Sequence, residues 1–232
     1  MNWNDPKTNE LTEGFKEKGF LPEAFINLLA LLGWNDGTEQ EIFSKEELIE
    51  KFSMERVHSG GAKFDYEKAK WFNHEWIKKS EVKSIKSKVK SVLEEHNITV
   101  SDDVLLEKVI GLVKDRCTLL TDFIQQGSFF FQTPEKYDTD AVKPKWNEAK
   151  KNFFQSFIEE LNAIPDWRSA FIEDAFKKLA ALQNIKPGEL QLPLRIMLVG
   201  GKFGPPVFDI CEILKKEETI RRITIAIGIF SD

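Results

Sequence analysis

Apolar residues spaced three and four positions apart recur along most of this chain, and they predict an all-α fold. Between Pro22 and Gly33 the apolar positions form a nearly continuous run, which is typical of a buried helix. Ile85, Val89 and Val92 share one face of a later segment. No comparable succession of alternating strands is present. Helices are expected over about 22–33, 44–52, 65–79, 84–95, 101–116, 118–126, 146–162, 166–183 and 206–222.

Several of these helices begin at recognisable end signals. Pro22 stands where a first-turn proline belongs, and Gly33 can close the same helix in the left-handed conformation. Ser44 and Glu47 have the spacing of a capping box, in which each side chain accepts from the other residue's backbone N–H. Asp65 can cap the third helix in a similar way.

Three segments lack helical periodicity. Residues 132–145 hold two prolines and mixed charge, and we expect a linker there. The prolines and glycines between residues 187 and 206 predict a compact, turn-rich segment. Over 223–230 isoleucines alternate with a period of two, which is the strand signature. A lone strand has no evident partner here, so we expect a frayed end.

Composition narrows the class of protein. The 232 residues are 41% hydrophobic, which suits one or two soluble globular domains. The net charge of -5 excludes a globally basic nucleic-acid binder but leaves room for a local basic surface. No apolar run is long enough to span a membrane, and no signal peptide is apparent. Cys117 and Cys211 form neither a metal-binding spacing nor a disulfide framework, so we expect a cytoplasmic protein.

The usual catalytic motifs are missing, so no catalytic or metal-binding residue is predicted. The three histidines include no HExxH pair, and CxxC, GxSxG and P-loop motifs are absent. His74 and Glu75 are the best acid–base candidates, although an ordinary surface pair explains them as well. The glycines between Gly200 and Gly204 could cradle a phosphate or form a structural turn, but the pattern predicts no flanking strand and helix of a βαβ unit.

Charge is unevenly distributed along the chain. Between Lys63 and Lys90 there are nine lysines and four acids, a local surplus of +5. Lysines collected on one surface would neutralise backbone phosphates of a nucleic acid, whereas most charged runs are simply solvated faces. Both interpretations stay open. Trp71, Phe72 and Trp76 interleave with these lysines, but their helical spacing suits a core better than base stacking.

An ordered set of short segments resembles bacterial glutamyl-tRNA synthetases, over about residues 19–222. The likeness begins in the segment that follows the catalytic signature loop of that family and continues in register near the other end of the chain. The matching segments are Gly19–Ala24, Asn27, Leu29–Trp34, Glu41–Phe43, Glu55–Val57, Phe64–Asp65, Lys68, Trp71–Asn73, Leu192–Arg195, Gly204–Pro205, Phe208, Ile213–Leu214 and Arg221–Arg222.

The resemblance implies a C-terminal, tRNA-binding portion of such an enzyme. The family's HIGH-like and KMSKS-like signatures are absent, as is the nucleotide-binding sheet domain, so the chain should be inactive alone. The whole enzyme would use ATP and Mg to attach glutamate, whereas this portion would need no cofactor. Implied regions are a helical stem-contact region at 1–82 and two helical anticodon-binding subdomains at 83–138 and 139–232. The implied partner is tRNA-Glu, with no DNA and no membrane, and the chain is expected to be a monomer.

Family roles carry over onto individual positions. Arg116, after Leu112–Asp115, matches an arginine that reads the third anticodon base, although a cation favoured by the helix dipole is the plain alternative. Arg195 matches the second anticodon arginine, and Gly204, Pro205 and Val207 match loop residues that contact the bases. A threonine is common where Gly204 stands, and a glycine where Pro206 stands. We expect the tRNA stem phosphates to be contacted by Lys68, Lys86 and Lys88.

Two other functions compete with tRNA binding as interpretations of the sequence. A helical protein-interaction module would need no RNA, and it would lack the steep salt dependence of phosphate contacts. A stand-alone enzyme using His74 and Glu75 has no other support in the sequence.

Overall fold

Helices form nearly all regular structure in the computed structural model, which describes residues 2–58, 60–61 and 63–231. The strands among these residues are β1 (Trp3–Asn4) and β2 (Leu11–Thr12), which pair antiparallel with Trp3 opposite Thr12. The predicted all-α fold class is confirmed. Within the same residues, no helix has the length and apolar character needed to cross a bilayer.

The helices follow the order that the periodicity predicts, with one further, unpredicted helix at Pro187–Val199. They are α1 (Pro22–Leu31), α2 (Lys45–Lys51), α3 (Tyr66–Lys79), α4 (Val82–Glu95), α5 (Asp103–Val113), α6 (Asp122–Gly127), α7 (Glu148–Ala163), α8 (Ser169–Leu182), α9 (Pro187–Val199) and α10 (Val207–Ser231). Short 3-10 turns lie at Met54–Arg56, Lys114–Arg116, Ser128–Phe130, Thr139–Ala141 and Lys143–Lys145.

The chain forms two compact units that are not consecutive in sequence. Unit 1 consists of the residues up to Val100 together with Ile110–Ile124, and unit 2 of Ser101–Val109 with the residues from Gln125 onward. The division into regions 1–82, 83–138 and 139–232 concerns which part contacts the tRNA, and it stays a prediction.

Unit 1 is built on the contact between α1 and α3. Phe20 and Leu28 pack against Ala69 and Phe72, and all four side chains are buried. The expected signals at the helix starts are present, but the prediction for Gly33 is wrong, because α1 ends with Leu32 as a right-handed cap and Gly33 does not adopt the left-handed conformation. Pro22 is the first residue of α1, the Ser44–Glu47 capping box is formed in full, and the Asp65 side chain accepts from the Lys68 backbone N–H.

Two buried asparagines fasten the loops of unit 1 to these helices. Asn27 accepts from the backbone N–H of Phe43 and from Trp76 Nε1, and it donates to the Glu41 carbonyl. Asn73 accepts from the Leu21 backbone N–H and donates to the carbonyls of Gly19 and Thr118. Both side chains are completely buried, so each bond replaces water that the amide has lost.

Unit 2 packs α7, α8, α9 and α10 around a phenylalanine core. Phe176 meets the rings of Phe153, Phe157 and Phe208 edge to face at 5.2–5.3 Å between centroids. This geometry is the favoured arrangement for aromatic pairs. Residues 132–145, expected to be a linker, instead form two 3-10 turns within this unit, and Val142 is buried.

The prediction of a turn-rich segment over 187–206 is wrong for most of its length. Residues Pro187–Val199 form α9, with Pro193 inside the helix. An internal proline costs about 3 kcal/mol because it removes a backbone hydrogen bond and crowds the preceding turn. The buried apolar residues of α9 outweigh this cost, since each contributes about 1.5–3 kcal/mol. They are Leu190, Leu194, Ile196, Met197, Leu198 and Val199.

The strand signature at 223–230 is also misleading, because this segment continues α10. Burial there follows Ile223, Ala226, Ile227 and Phe230, which is helical spacing. Ile225, one of the alternating isoleucines, is exposed. The period of two therefore arose from isoleucines on both sides of the helix.

A sharp kink divides α10 at Lys215, where φ is 67° and ψ is 169°. The carbonyl of Cys211, on the near side of the kink, accepts from Thr219 Oγ1 at 3.2 Å and from Trp167 Nε1 at 2.9 Å. Beyond the kink, Lys216 Nζ donates to the carbonyls of Asn162 and Ile164, where α7 ends.

We expect Lys215→Gly to stabilise the protein by about 1 kcal/mol. A residue with a Cβ is strained at this backbone conformation by about 1–3 kcal/mol, and glycine is not. Urea unfolding measures the change. Glu159→Gly, on an exposed turn of α7, is the matched control and should lower the free energy of unfolding by about 1 kcal/mol. A loss of stability in both variants would contradict the expected release of strain.

Arg222 lies in the interior of unit 2 and is only 2% exposed. Its guanidinium donates to Glu218 Oε1 at 2.7 Å, to the Leu198 carbonyl at 2.6 Å and to the Gln132 carbonyl at 3.4 Å. Arg221 also donates to both oxygens of Glu218. The bonds from Arg221, opposed by partial burial and reinforced by Arg222, lower the pKa of Glu218 from 4.5 to about 2.

Stability should therefore fall in acid as Glu218 becomes protonated. A carboxyl with a lowered folded-state pKa stabilises the fold above its unfolded value, here 4.5, and loses that contribution as the pH falls towards about 2. We expect Glu218→Gln to be less stable than the parent at pH 7 and to lose less stability between pH 5 and pH 2. Urea unfolding across this range measures both. Parallel pH profiles for the two proteins would contradict the assignment.

Candidate nucleic-acid interface

Arg116 lies in the 3-10 turn Lys114–Arg116, which directly follows α5. Its side chain is exposed, and it forms no hydrogen bond or ion pair with any residue that the structure describes. The helix end thus presents a guanidinium to solvent with all five of its N–H groups available.

The backbone around Arg116 is held firmly against α3. Lys114 Nζ donates to the carbonyls of Lys78 and Ser80, at 2.8 Å each. His74 Nδ1 lies 3.0 Å from the Cys117 carbonyl, so it must carry a proton to make this bond. Asn73 Nδ2 donates to the Thr118 carbonyl at 2.6 Å. These contacts fix the turn and leave the Arg116 side chain uncommitted.

Arg195 has a different environment in unit 2. From α9, its Nη1 donates to the carbonyls of Phe203 at 3.1 Å, Gly204 at 3.2 Å and Pro205 at 2.7 Å. Pro205 is buried, as is Val207, the first residue of α10. The structure therefore brings Arg195, Gly204, Pro205 and Val207 together, with Arg195 holding the loop.

The glycines of this loop meet structural needs. Gly200 ends α9 in the left-handed conformation, and a Cβ there would collide with the Lys136 carbonyl. Gly204 has φ 99°, and a Cβ would lie 3.3 Å from Phe129 Cζ. A threonine would therefore be strained at this backbone conformation. Lys202 forms an ion pair with Asp138 at 3.3 Å. Of the two interpretations of the Gly200–Gly204 motif, the geometry favours a structural turn.

The three lysines predicted to contact phosphates already have partners. Lys68 Nζ lies 2.8 Å from Glu41 Oε1, and Lys88 Nζ lies 2.9 Å from Glu23 Oε1. Lys86 is also engaged. Because Lys86 and Lys88 are two positions apart on α4, they project about 200° from each other and do not share one face.

Comparison with known proteins identifies the family. The protein-family model "Anticodon binding domain" matches residues 66–227 of the sequence. A second family model, "tRNA synthetases class I (E and Q), catalytic domain", matches residues 6–71. The chain belongs to the glutamyl-tRNA synthetase family. The resemblance found in the sequence is thereby confirmed.

Individual relatives agree with this assignment. Over 96% of its length the chain is 43% identical to the glutamate–tRNA ligase of Flavobacterium johnsoniae and 44% identical to that of Flavobacterium psychrophilum. A crystal structure of a glutamate–tRNA ligase from Elizabethkingia meningosepticum in complex with its amino acid superposes with a TM-score of 0.86, at 39% identity over 98% of this chain. The corresponding synthetase of Elizabethkingia anophelis gives 0.80.

The chain spans less than half of these synthetases. It covers 44% of both Flavobacterium proteins and 45% of both crystallised chains. The stretch that matches the catalytic-domain model carries neither class I signature, so the catalytic domain is incomplete here. Among the described residues, no group of three or more His, Cys, Asp or Glu side chains is placed to hold a metal.

The two cysteines give no reactive thiol. Burial raises the pKa of Cys211 to about 12 and moves that of Cys117 further in the same direction. Neither forms the thiolate that nucleophilic chemistry needs near neutral pH. The Cys117 thiol instead donates to the Val113 carbonyl, at the end of α5.

Sequence reasoning missed the residues that position Arg116. Lys114 and Asn73 both belong to segments that resemble the family, but nothing in the pattern shows that their side chains bind backbone carbonyls. For Asn73 the available signal was a polar residue on an otherwise apolar helix face, next to Phe72. Buried amides of this kind commonly hold loops.

We expect Arg195→Met to lower the free energy of unfolding by about 1.5–3 kcal/mol, because the loop loses charge-assisted hydrogen bonds. Urea unfolding measures the loss, and hydrogen exchange should show faster exchange near residues 203–205. Arg168→Met is the matched control, since Arg168 is exposed and pairs with the exposed Asp166; a change within about 0.5 kcal/mol is expected. Equal effects of the two substitutions would contradict the anchoring role.

Proposed function

We propose that this chain is the part of a glutamate–tRNA ligase that docks tRNA-Glu through its stem and anticodon. The observation that carries the proposal is Arg116. Its guanidinium is exposed and has no hydrogen-bond or ion-pair partner among the residues that the structure describes. The turn that carries it is held by Lys114 and lies within the region that matches the anticodon-binding family model. The turn holds the Arg116 backbone in place, and the guanidinium can bind a base.

Anticodon bases are suitable hydrogen-bonding partners for an exposed guanidinium. RNA sequence is usually read from unpaired bases whose edges are open to hydrogen bonding. The planar guanidinium can bond two acceptors of one base edge at once, as it does with guanine in DNA. A purely capping role for Arg116 has less support, because its side chain bonds none of the described carbonyls.

Arg195, Gly204, Pro205 and Val207 form the second part of the proposed anticodon surface. Support comes from the way Arg195 gathers the carbonyls of the loop that contains two of them. In this proposal Arg195 gives the loop its shape, and the loop backbone meets the splayed bases. The proline at 206 keeps the start of α10 rigid.

Lys68, Lys86 and Lys88 remain proposed phosphate contacts, with less support from the geometry. RNA would have to displace Glu41 from Lys68 and Glu23 from Lys88. Breaking each ion pair costs up to about 1 kcal/mol, and a phosphate contact at that lysine is weaker by this amount.

In this proposal, residues outside this chain supply the catalytic groups of the whole enzyme. In the proposal the complete ligase activates glutamate with ATP and Mg, and this chain only positions the tRNA as a cytoplasmic monomer. Residues 1–82 would contact the stem, and 83–138 with 139–232 would form the anticodon surface. The incomplete catalytic domain implies no glutamate activation by the chain alone.

Arg116→Gln tests the proposal. If the guanidinium bonds a base edge, binding to tRNA-Glu should weaken by about 1–3 kcal/mol. Binding to a transcript whose third anticodon base is changed from C to G should weaken much less, so the gap between the two RNAs narrows. Titration of both RNAs with both proteins at one salt concentration measures this gap.

Two controls make the outcome decisive. Arg168→Gln removes the same charge from an exposed site in unit 2 and should leave the gap intact. Thermal unfolding of Arg116→Gln should match the parent, because Arg116 has no partner among the described residues. An intact gap with lowered thermal stability would assign Arg116 to helix capping. Failure of the parent chain to bind either RNA would favour the rival protein-interaction module.

A further inference from the structure

Three exposed lysines stand where α3 ends and α4 begins. Lys78 and Lys79 occupy the last turn of α3, and Lys83 occupies the first turn of α4. The side chains of all three lack an ion pair or hydrogen bond with the described residues. We call these three residues the lysine corner.

The lysine corner adjoins the turn that carries Arg116. Lys114 Nζ donates to the carbonyl of Lys78 and to that of Ser80, between the two helices. Arg116 follows Lys114 by two residues in the same 3-10 turn. The backbone at the lysine corner therefore lies next to the turn that carries Arg116.

Few carboxylates offset this charge. Residues 78–83 and 114–116 contain five cations and two acids, Glu81 and Asp115. Both acids are exposed and make no ion pair with the described residues, and the half-buried Glu75, one turn earlier on α3, makes none with them either. The surface keeps a positive excess.

Local stability does not explain all of these lysines. Lys78 and Lys79 suit the C-terminal end of α3, where the helix dipole favours cations. Lys83 stands at the opposite end of its helix, where the dipole disfavours a cation, and no acid shares that first turn. Three uncompensated cations within one corner also repel one another.

We propose that the lysine corner binds the RNA phosphate backbone beside the nucleotide that Arg116 contacts. This inference rests on the proposed function. Lysines act on phosphates as point charges without base specificity, which suits a positioning surface next to a reading residue. Unlike Lys68 and Lys88, the corner needs no carboxylate to be displaced before RNA can bind.

A charge-matched pair of triple variants tests the proposal in the full chain. One variant changes Lys78, Lys79 and Lys83 to Gln, and the control variant changes Lys177, Lys178 and Lys186 to Gln, three exposed lysines outside the proposed contacts. Both lose three positive charges. The probe is a tRNA-Glu transcript, titrated between 50 and 200 mM salt, together with the transcript altered at the third anticodon base.

For the corner variant we expect a salt slope of log K that is flatter by about 2–3 units, since each neutralised phosphate contributes about 0.7–0.9. Affinity for both transcripts should fall by the same factor. The control variant should flatten the slope by less than one unit. Replacing the three corner lysines by Arg should restore the parent slope, and circular dichroism should show the same helix content in all variants.

Other results overturn the inference. An unchanged slope in the corner variant, equal effects of the two triple variants, or a loss confined to one transcript would each remove the corner from the phosphate-binding surface. If the parent chain binds tRNA-Glu and the corner variant behaves like the parent, the proposed function stands and this inference fails. If the parent binds no RNA at all, the proposed function itself fails.

Discussion

Cationic side chains that donate to backbone carbonyls hold this helical chain together where its helices stop. The C-terminal end of every helix leaves carbonyls without intrahelical partners, and an all-α fold has many such ends. Lys114 serves the end of α3, Lys216 the end of α7, and Arg222 the end of α9. Lys150 reaches the carbonyl of Lys145, and Arg195 gathers the loop that precedes α10. Both units depend on these hydrogen bonds from Lys and Arg side chains to backbone carbonyls.

Cationic side chains that bind backbone carbonyls have a structural role, and they must be distinguished from cationic side chains that are available to a ligand. A count along the sequence finds the basic surplus between Lys63 and Lys90, but it treats every lysine alike. Lys68 finds Glu41, 27 residues away, and Lys88 finds Glu23, 65 residues away. Such pairs depend on tertiary packing, so no local pattern could have revealed them. Arg116 was found only because its neighbours match the family in register.

Most of the fold could be predicted, for physical reasons that also explain the errors. The starts of α1, α2 and α3 follow from side chains that act within one turn, such as the Ser44–Glu47 box. The prediction failed where burial overrides local preference. Pro193 is accommodated by the apolar surroundings of α9, and the isoleucines of 223–230 follow a helix set by Ala226 and Phe230. Local rules carry no information on how much apolar surface a segment will bury.

Each unit is assembled from two separate stretches of the sequence, so the order of synthesis affects when each unit can fold. The Gly19 carbonyl bonds the backbone N–H of Leu120, and Asn73 bonds the Thr118 carbonyl. When the chain has been synthesised as far as Val100, these groups still lack their partners. The opening segment of unit 2, Ser101–Val109, emerges before unit 1 can close. Domains usually fold in the order of their synthesis, but unit 1 needs Ile110–Ile124, which are translated after the first residues of unit 2.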